Sequence, residues 1–252
     1  MKKIGLDFNP KGCPMGDLVS FSSLPENYYL STGNKIVDLW NLWIYDYNPF
    51  VLRNEDCDDI LDLNLKLSQQ HKKCDVRFPV SSIWIYCKAL DIKCFVRHPK
   101  LYKFENIIPD NNSLCIHTTP RGRDKTRLGP IDNHIIEHIL KEYKNYKIYQ
   151  VGGKDDIKIK SDNCIDMTGL GWWETAEIIS KSKTFIATNT GHIQLANCFP
   201  KTHKKLILSD GDYLESFVPV SRERGGDWVD FNWCYYNPTE YDRGITMSYL
   251  KI

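Results

Sequence analysis

Phe185-Ile186-Ala187-Thr188-Asn189-Thr190-Gly191-His192-Ile193-Gln194-Leu195-Ala196 is an apolar run, then a polar turn, then a helical pattern. Thr184–Ala187 reads as a buried-type strand and Gly191–Cys198 as a helix. Asn189 or Thr190 is a natural N-cap, and Gly191 lets the backbone come close to a ligand. The first N–H groups of such a helix point outward, and with the helix dipole they favour an anion. Read alone, the same stretch also describes an ordinary capped helix.

Outward from this turn the rhythm repeats. Upstream lie a strand at Cys164–Met167, the turn Gly169-Leu170-Gly171 and a helix at Thr175–Ser182 carrying Ala176, Ile178 and Ile179. Further back, Lys147–Val151 is a strand ending at Gly152-Gly153, and Ile131–Tyr143 is amphipathic, with Ile135, Ile136, Ile139 and Leu140 on one face. Ser113–His117 is a strand that runs into a basic loop, Thr118–Pro130, and Lys205–Leu208 is a strand downstream. Strands alternating with helices predict a parallel sheet covered on both faces. The N-terminal half opens with a strand at Lys3–Phe8, a turn-rich segment at Asn9–Gly16 and a helix at Asp17–Tyr29 broken near Pro25. Lys35–Leu39, Trp43–Tyr45, Ile60–Leu63 and Lys93–Val96 read as strands, and Ser81–Leu90 as a helix. His98–Asn112 is polar, contains Pro99 and Pro109, and reads as a linker, which divides the chain into domains 1–105 and 106–252. From Arg222 onward the chain is rich in Trp and Tyr without a clear period.

Composition narrows the function. The formal net charge is +1, so no global field draws the chain to nucleic acid or anionic lipid, and any bound anion must be held locally. Duplex DNA as a partner is disfavoured on the same ground, although Lys201, Lys204, Lys205, Arg222 and Arg224 can form a local patch. The nine cysteines are odd in number, lack a C-x-x-C pair and sit in apolar segments, which predicts reduced, mostly buried thiols. His71, His98 and His138 have no metal-ligand spacing. The N-terminus lacks the apolar run of a signal peptide, and no segment reaches the ~20 apolar residues of a membrane span. The expectation is a cytoplasmic protein, with peripheral membrane contact open to it.

Two further stretches carry chemistry. Ile116-His117-Thr118-Thr119-Pro120-Arg121-Gly122-Arg123-Asp124-Lys125 follows a strand end, where open α/β sheets bind ligands. Its hydroxyls and cations suit a diphosphate, Arg forking onto oxygens and Lys acting as a point charge; the plain alternative is a solvated basic loop. Met15-Gly16-Asp17 sits at the first strand–helix turn. Asp17 there reads either as a general base for an acceptor hydroxyl or as a helix-start carboxylate satisfying backbone N–H groups. Trp172-Trp173 reads as core or as a helix-start staple, with stacking on a base or sugar as the alternative. His117, at an apolar strand end, reads as structural.

Taken together, these pieces resemble the heptosyltransferase family of glycosyltransferases (family 9, GT-B fold). The family's first turn is similar to Met15-Gly16-Asp17 followed by Leu24-Pro25. Its hydroxyl- and cation-bearing loop is similar to His117-Thr118-Thr119 with Arg121 to Lys125. Its late signature, D-[TS]-G-x-x-H-[LI]-A, is similar to Asn189-Thr190-Gly191-His192-Ile193-Gln194-Leu195-Ala196, approached through Asp166-Met167-Thr168-Gly169. The resemblance implies two Rossmann-like domains whose parallel sheets face a central cleft. It implies an inverting, metal-independent transfer of a heptose or hexose from a nucleotide-diphosphate donor, ADP-sugar by analogy, to a glycan or other hydroxyl acceptor in lipopolysaccharide or capsule assembly. It assigns Asp17 as base beside Gly16. It assigns Thr118, Thr119, a cation among Arg121, Arg123 and Lys125, and Thr190 and Gly191 to the diphosphate, with Asn189 and His192 also on the nucleotide-sugar. Met167 and Thr168 fall near the nucleotide base.

The sequence also departs from the family. Asn189 replaces the signature Asp and Gln194 the signature His, so a charged contact to donor hydroxyls is lost and the donor can differ. The chain is short for the family, mainly in the acceptor-side half. Rival readings are a non-catalytic nucleotide-sugar-binding module, a nucleotide-sugar epimerase and a phage DNA glycosyltransferase.

Overall fold

The structure, a computed structural model, describes residues 2–8, 15–63, 65–66, 82–96, 98–119, 133–188, 190–209, 231–237 and 250–251. The described residues up to Glu105 form one compact unit and those from Asn106 a second. Among them, no helix is long and apolar enough to cross a membrane.

The first unit is built on a four-stranded parallel sheet of β1 (Lys3–Asp7), β2 (Lys35–Asp38), β3 (Val51–Leu52) and β4 (Asp59–Asp62), in the order β3-β2-β1-β4. Its helices are α1 (Met15–Ser20), α2 (Leu24–Thr32) and α3 (Ser82–Ala89). The expected helix over Asp17–Tyr29 is interrupted as anticipated, but upstream of the proline. A 3-10 turn at Phe21–Ser23 separates α1 from α2, and Pro25 lies in the first turn of α2. Proline is tolerated there because its missing N–H would have no intrahelical partner. Gly33, at φ 73, closes α2. An aromatic stack, Phe8 on Phe21 at 3.9 Å and Phe21 on Tyr86 at 4.0 Å, ties β1 to the helical layer.

Two strand expectations in this unit are corrected. Trp43–Tyr45 is a 3-10 turn. The Asp38 carboxylate accepts N–H bonds from Trp40 and Leu42, and Arg53 bonds the Leu42 carbonyl at 2.6 Å, so the chain curls where apolar content alone reads as extended. Ile44 and Tyr45 are consecutive and both buried. Among the described residues, Lys93–Val96 joins no sheet. It is held by buried Asn27 of α2, whose Oδ1 accepts N–H bonds from Phe95 (2.7 Å) and Val96 (2.8 Å) and whose Nδ2 donates to the Val96 carbonyl (2.9 Å). Removing that amide strands several backbone groups at about 1 kcal/mol or more each. Asn27→Ala is therefore expected to lower stability by about 2–3 kcal/mol in chemical denaturation; a loss below about 0.5 kcal/mol would show that the segment is held otherwise.

The expected linker is docked, not loose. Lys100 pairs with Glu26 at 2.8 Å, the Tyr102 hydroxyl donates to Glu26 at 2.7 Å, and Leu101 and Phe104 are buried. Its last residues already belong to the second sheet.

That sheet has seven strands: β5 (Asp110–His117), β6 (Lys147–Gly152), β7 (Cys164–Thr168), β8 (Ser182–Thr188), β9 (His203–Ser209), β10 (Phe231–Asn237) and β11 (Leu250–Lys251). The order is β11-β10-β9-β8-β5-β6-β7, parallel except for β11. The last two strands fall in the stretch whose sequence shows no period. The helices are α4 (Asn133–Glu142), α5 (Trp172–Lys181) and α6 (Gly191–Ala196). On α4, Ile135 and Ile139 are fully buried against Leu114, Ile116, Ile148 and Ile186, while Ile136 and Leu140 pack at the margin. Cys57, Cys87, Cys94, Cys115, Cys164 and Cys198 are free thiols, three of them buried. Burial pushes the Cys115 thiol well above its ordinary range and that of Cys164 up to about 11.

Candidate functional site

Strand order places the site. From β5 the chain winds outward through β6 and β7, then returns to the other side of β5 as β8 and continues to β9. The β5–β8 boundary is a topological switch point. In open α/β sheets such a point, at the carboxyl ends of the strands, is where ligands bind. His117 ends β5, and the turn to α6 follows β8, with His117 beside Ala187 in register.

A polar cluster fills that edge. The His117 side chain is 1% exposed. Its Nδ1 lies 3.3 Å from Thr190 Oγ1, and its ring stacks on His192 at 3.9 Å and 20°. On its other side Nε2 is 3.8 Å from Asp156 Oδ2, a carboxylate that is itself buried. Asp156 Oδ2 also accepts the Gly153 N–H at 2.6 Å. The Trp172 ring, at the start of α5, lies 4.7 Å from His192, so this half-buried tryptophan borders the cluster rather than filling the core. Thr190 is the N-cap of α6 by position, at φ −144 and ψ 172, but makes no side-chain cap bond. Its hydroxyl turns to His117 instead.

Buried Thr118 begins the loop after β5. Gln150, buried within β6, donates to Thr118 Oγ1 at 3.2 Å and to the Ile157 carbonyl at 2.6 Å, and accepts the Ile159 N–H at 2.8 Å. Thr119 Oγ1 is 3.5 Å from Thr118 Oγ1. Thr118 therefore leaves the sheet on a fixed path. At the far end of the edge, Met167 and Thr168 pair with Val151 and Gly152. Asp166 accepts bonds from the Thr168 backbone N–H (2.9 Å) and hydroxyl (2.7 Å) and pairs with Lys158. The Thr168 bonds first, then Lys158, hold the exposed Asp166 carboxyl below its ordinary range.

The structure thus gathers Thr118, Thr119, Thr190, Gly191 and His192 around the switch point, with Met167 and Thr168 two strands along. Arg121, Arg123, Lys125 and Asn189 lie outside the described residues. Gly16 and Asp17 lie in α1, in the other unit, and are described by their backbone alone. Sequence reasoning missed Asp156 and Gln150 and read His117 without its partners. Gln150 is a lone amide within an apolar strand, and Asp156 stands three residues beyond Gly153; these were the signals available.

The sequence matches no protein-family model and no curated protein. Its structure does have likenesses. A family 9 glycosyl transferase from Veillonella parvula aligns over 94% of this chain and 86% of its own, at TM-score 0.62 and 10% identity. This is the fold of the family 9 glycosyltransferases. Heptosyltransferase WaaC of E. coli, solved with ADP, aligns over 84% of this chain and 89% of its own, at TM-score 0.56 and 9% identity. The iron-containing dodecameric glycosyltransferase TibC of enterotoxigenic E. coli aligns over 81% of this chain but only 59% of its own, at TM-score 0.56 and 16% identity. Two parallel α/β units, as in the GT-B architecture, are common ground between this chain and these glycosyltransferases.

Proposed function

We propose that the chain is a glycosyltransferase that moves a sugar from a nucleotide-diphosphate donor to a hydroxyl acceptor, inverting the anomeric carbon without a metal. The observation that supports this most is the hydroxyl- and imidazole-lined edge at the β5–β8 switch point, on a fold shared with heptosyltransferases. Thr118, Thr119, Thr190 and the N–H groups at Gly191 and His192 receive the diphosphate, with Arg123 or its neighbours Arg121 and Lys125 supplying positive charge. Met167 and Thr168 border the nucleotide base, and Asn189 brings an uncharged amide where the family's signature has a carboxylate. Donors placed against fixed N–H groups and cations need little reorganisation as charge develops on the leaving diphosphate. Asp17 takes the acceptor proton as the oxygen attacks. The donor favoured is an ADP-sugar of the heptose or hexose class, and the acceptor a surface glycan.

Calorimetry with ADP, UDP, GDP and CDP in metal-free buffer tests the donor site. One nucleotide is expected to bind at micromolar strength, about −8 kcal/mol. Arg123→Ala is expected to weaken that nucleoside diphosphate more than its nucleoside. Absence of binding by all four would overturn the reading.

A further inference from the structure

We infer that His117 and Asp156 are positioning residues for the donor diphosphate, acting through the Thr190 hydroxyl. The inference rests on the donor-site reading above and adds to it two residues that the site needs but that the ligand does not touch.

Burying an imidazole and a carboxylate together is costly unless each is held by partners. Here the burial lies at the switch point, not in the apolar layer between sheet and helices, and it is built in from several directions. Asp156 is anchored by the Gly153 N–H at 2.6 Å and faces His117 Nε2 at 3.8 Å. The backbone makes room for the pair: at Gly152, φ 143, an added Cβ would lie 2.2 Å from Asp156 Oδ2 and 3.0 Å from His117 Cδ2. Thr190 gives up the side-chain cap that its N-cap position offers and turns its hydroxyl to His117 Nδ1 at 3.3 Å. The ring face is closed by His192, stacked at 3.9 Å.

These contacts fix the place of the ring and of the Thr190 hydroxyl beside it. The titratable groups facing the ring include Asp156, from the segment after β6, and His192, from α6. Nδ1 is the ring nitrogen beside Thr190 Oγ1, and whether it donates or accepts there follows the ring's tautomer. An Nδ1–H donates to Thr190 Oγ1, which leaves the hydroxyl's own proton to point at an anion. A ring without the Nδ1 proton would take the Thr190 proton for itself. Asp156 closes the far side of the ring and holds it in place, the ring orients the hydroxyl, and the hydroxyl meets the phosphate.

The test uses the full chain and the nucleoside diphosphate that binds most tightly of the four, with its nucleoside as control. His117→Ala and Thr190→Val are each expected to weaken the diphosphate about tenfold and leave the nucleoside unchanged, while the double variant loses little more than either single one. His117→Asn, whose amide N–H falls near the Nδ1 position, is expected to stay within about threefold of wild type, and His117→Gln, whose amide falls near Nε2, to behave as His117→Ala. Thr190→Val and Asp156→Asn conserve shape and keep the test open if His117→Ala does not fold; Asp156→Asn is expected to weaken the diphosphate selectively as well. Additive losses in the double variant, or equal losses of diphosphate and nucleoside, would overturn the inference while leaving the donor site intact. A wild-type chain that binds none of the four nucleotides would overturn the donor-site reading itself, and the inference with it.

Discussion

Asp17→Asn is expected to lower the rate of sugar transfer about 10²–10⁴-fold, the range that a positioned general base contributes. The substitution keeps the size and hydrogen-bonding outline of the side chain and removes only its ability to take a proton. Asp17 is the third residue of α1, in its first turn. Asparagine there loses the favourable interaction of a carboxylate with the helix N-terminus, worth less than about 1 kcal/mol. Folding should therefore survive, and affinity for the nucleoside diphosphate, whose proposed site lies in the other unit, should be almost unchanged. The loss should fall on kcat. A variant that transfers sugar at the wild-type rate would remove Asp17 from the mechanism and leave it as a helix-start residue. A wild-type protein that binds donor and transfers nothing would favour the non-catalytic binding module instead. Steady-state kinetics beside calorimetry separates these outcomes.

Gly152→Ala is expected to destabilise the second unit by about 3 kcal/mol or more, through backbone strain and steric overlap acting together. Residue 152 has φ 143, a conformation that L side chains rarely adopt. Its new methyl would also fall 2.2 Å from Asp156 Oδ2. A flexible side chain could swing aside, but Asp156 is buried and its carboxylate holds the Gly153 N–H at 2.6 Å, so moving it breaks that bond and the contact with His117. The offsetting gain, a less flexible unfolded chain, is only about 0.4–1 kcal/mol. A fall of roughly 10 °C in the apparent melting temperature is the expected readout. Unchanged stability would show that Asp156 does not occupy this position. Gly153→Ala is not an equivalent change, because the Gly152 backbone is what makes room for the pair.

Much of the second unit was legible in the sequence. Its strands and helices alternate with clean periods, and each apolar face of a helix or strand is a local property that burial then uses. Ile135 and Ile139 are four residues apart and point the same way whatever they pack against, and both are fully buried. The first unit was less legible. Trp43–Tyr45 and Lys93–Val96 have the composition of strands, yet one is a 3-10 turn and the other hangs from an amide of α2. The first is set by Asp38 only a few residues away together with Arg53, the second by Asn27 almost seventy positions upstream, and apolar content registers neither kind of polar contact. The strands β10 and β11 were missed for a related reason: β11 is a two-residue edge strand and β10 lies between it and β9, and such pairing needs a neighbour more than a pattern.

By itself, then, the sequence determined an α/β chain of parallel sheets, the strand–turn–helix stretch around Gly191, and the hydroxyls at Thr118, Thr119 and Thr190 that suit a diphosphate. These are consequences of period, turn chemistry and residue type, which act over a few neighbours. Only the tertiary structure decided that β8 returns to lie beside β5, and with it that Thr190 meets His117 across 73 positions of sequence. It also decided that Asp156, unremarkable in the sequence, is buried against that histidine, and that Gly152 is glycine because nothing larger fits there. Strand order arises from how the whole sheet buries its apolar surface. No short stretch encodes it, and the meeting of distant polar side chains at the switch point follows from it.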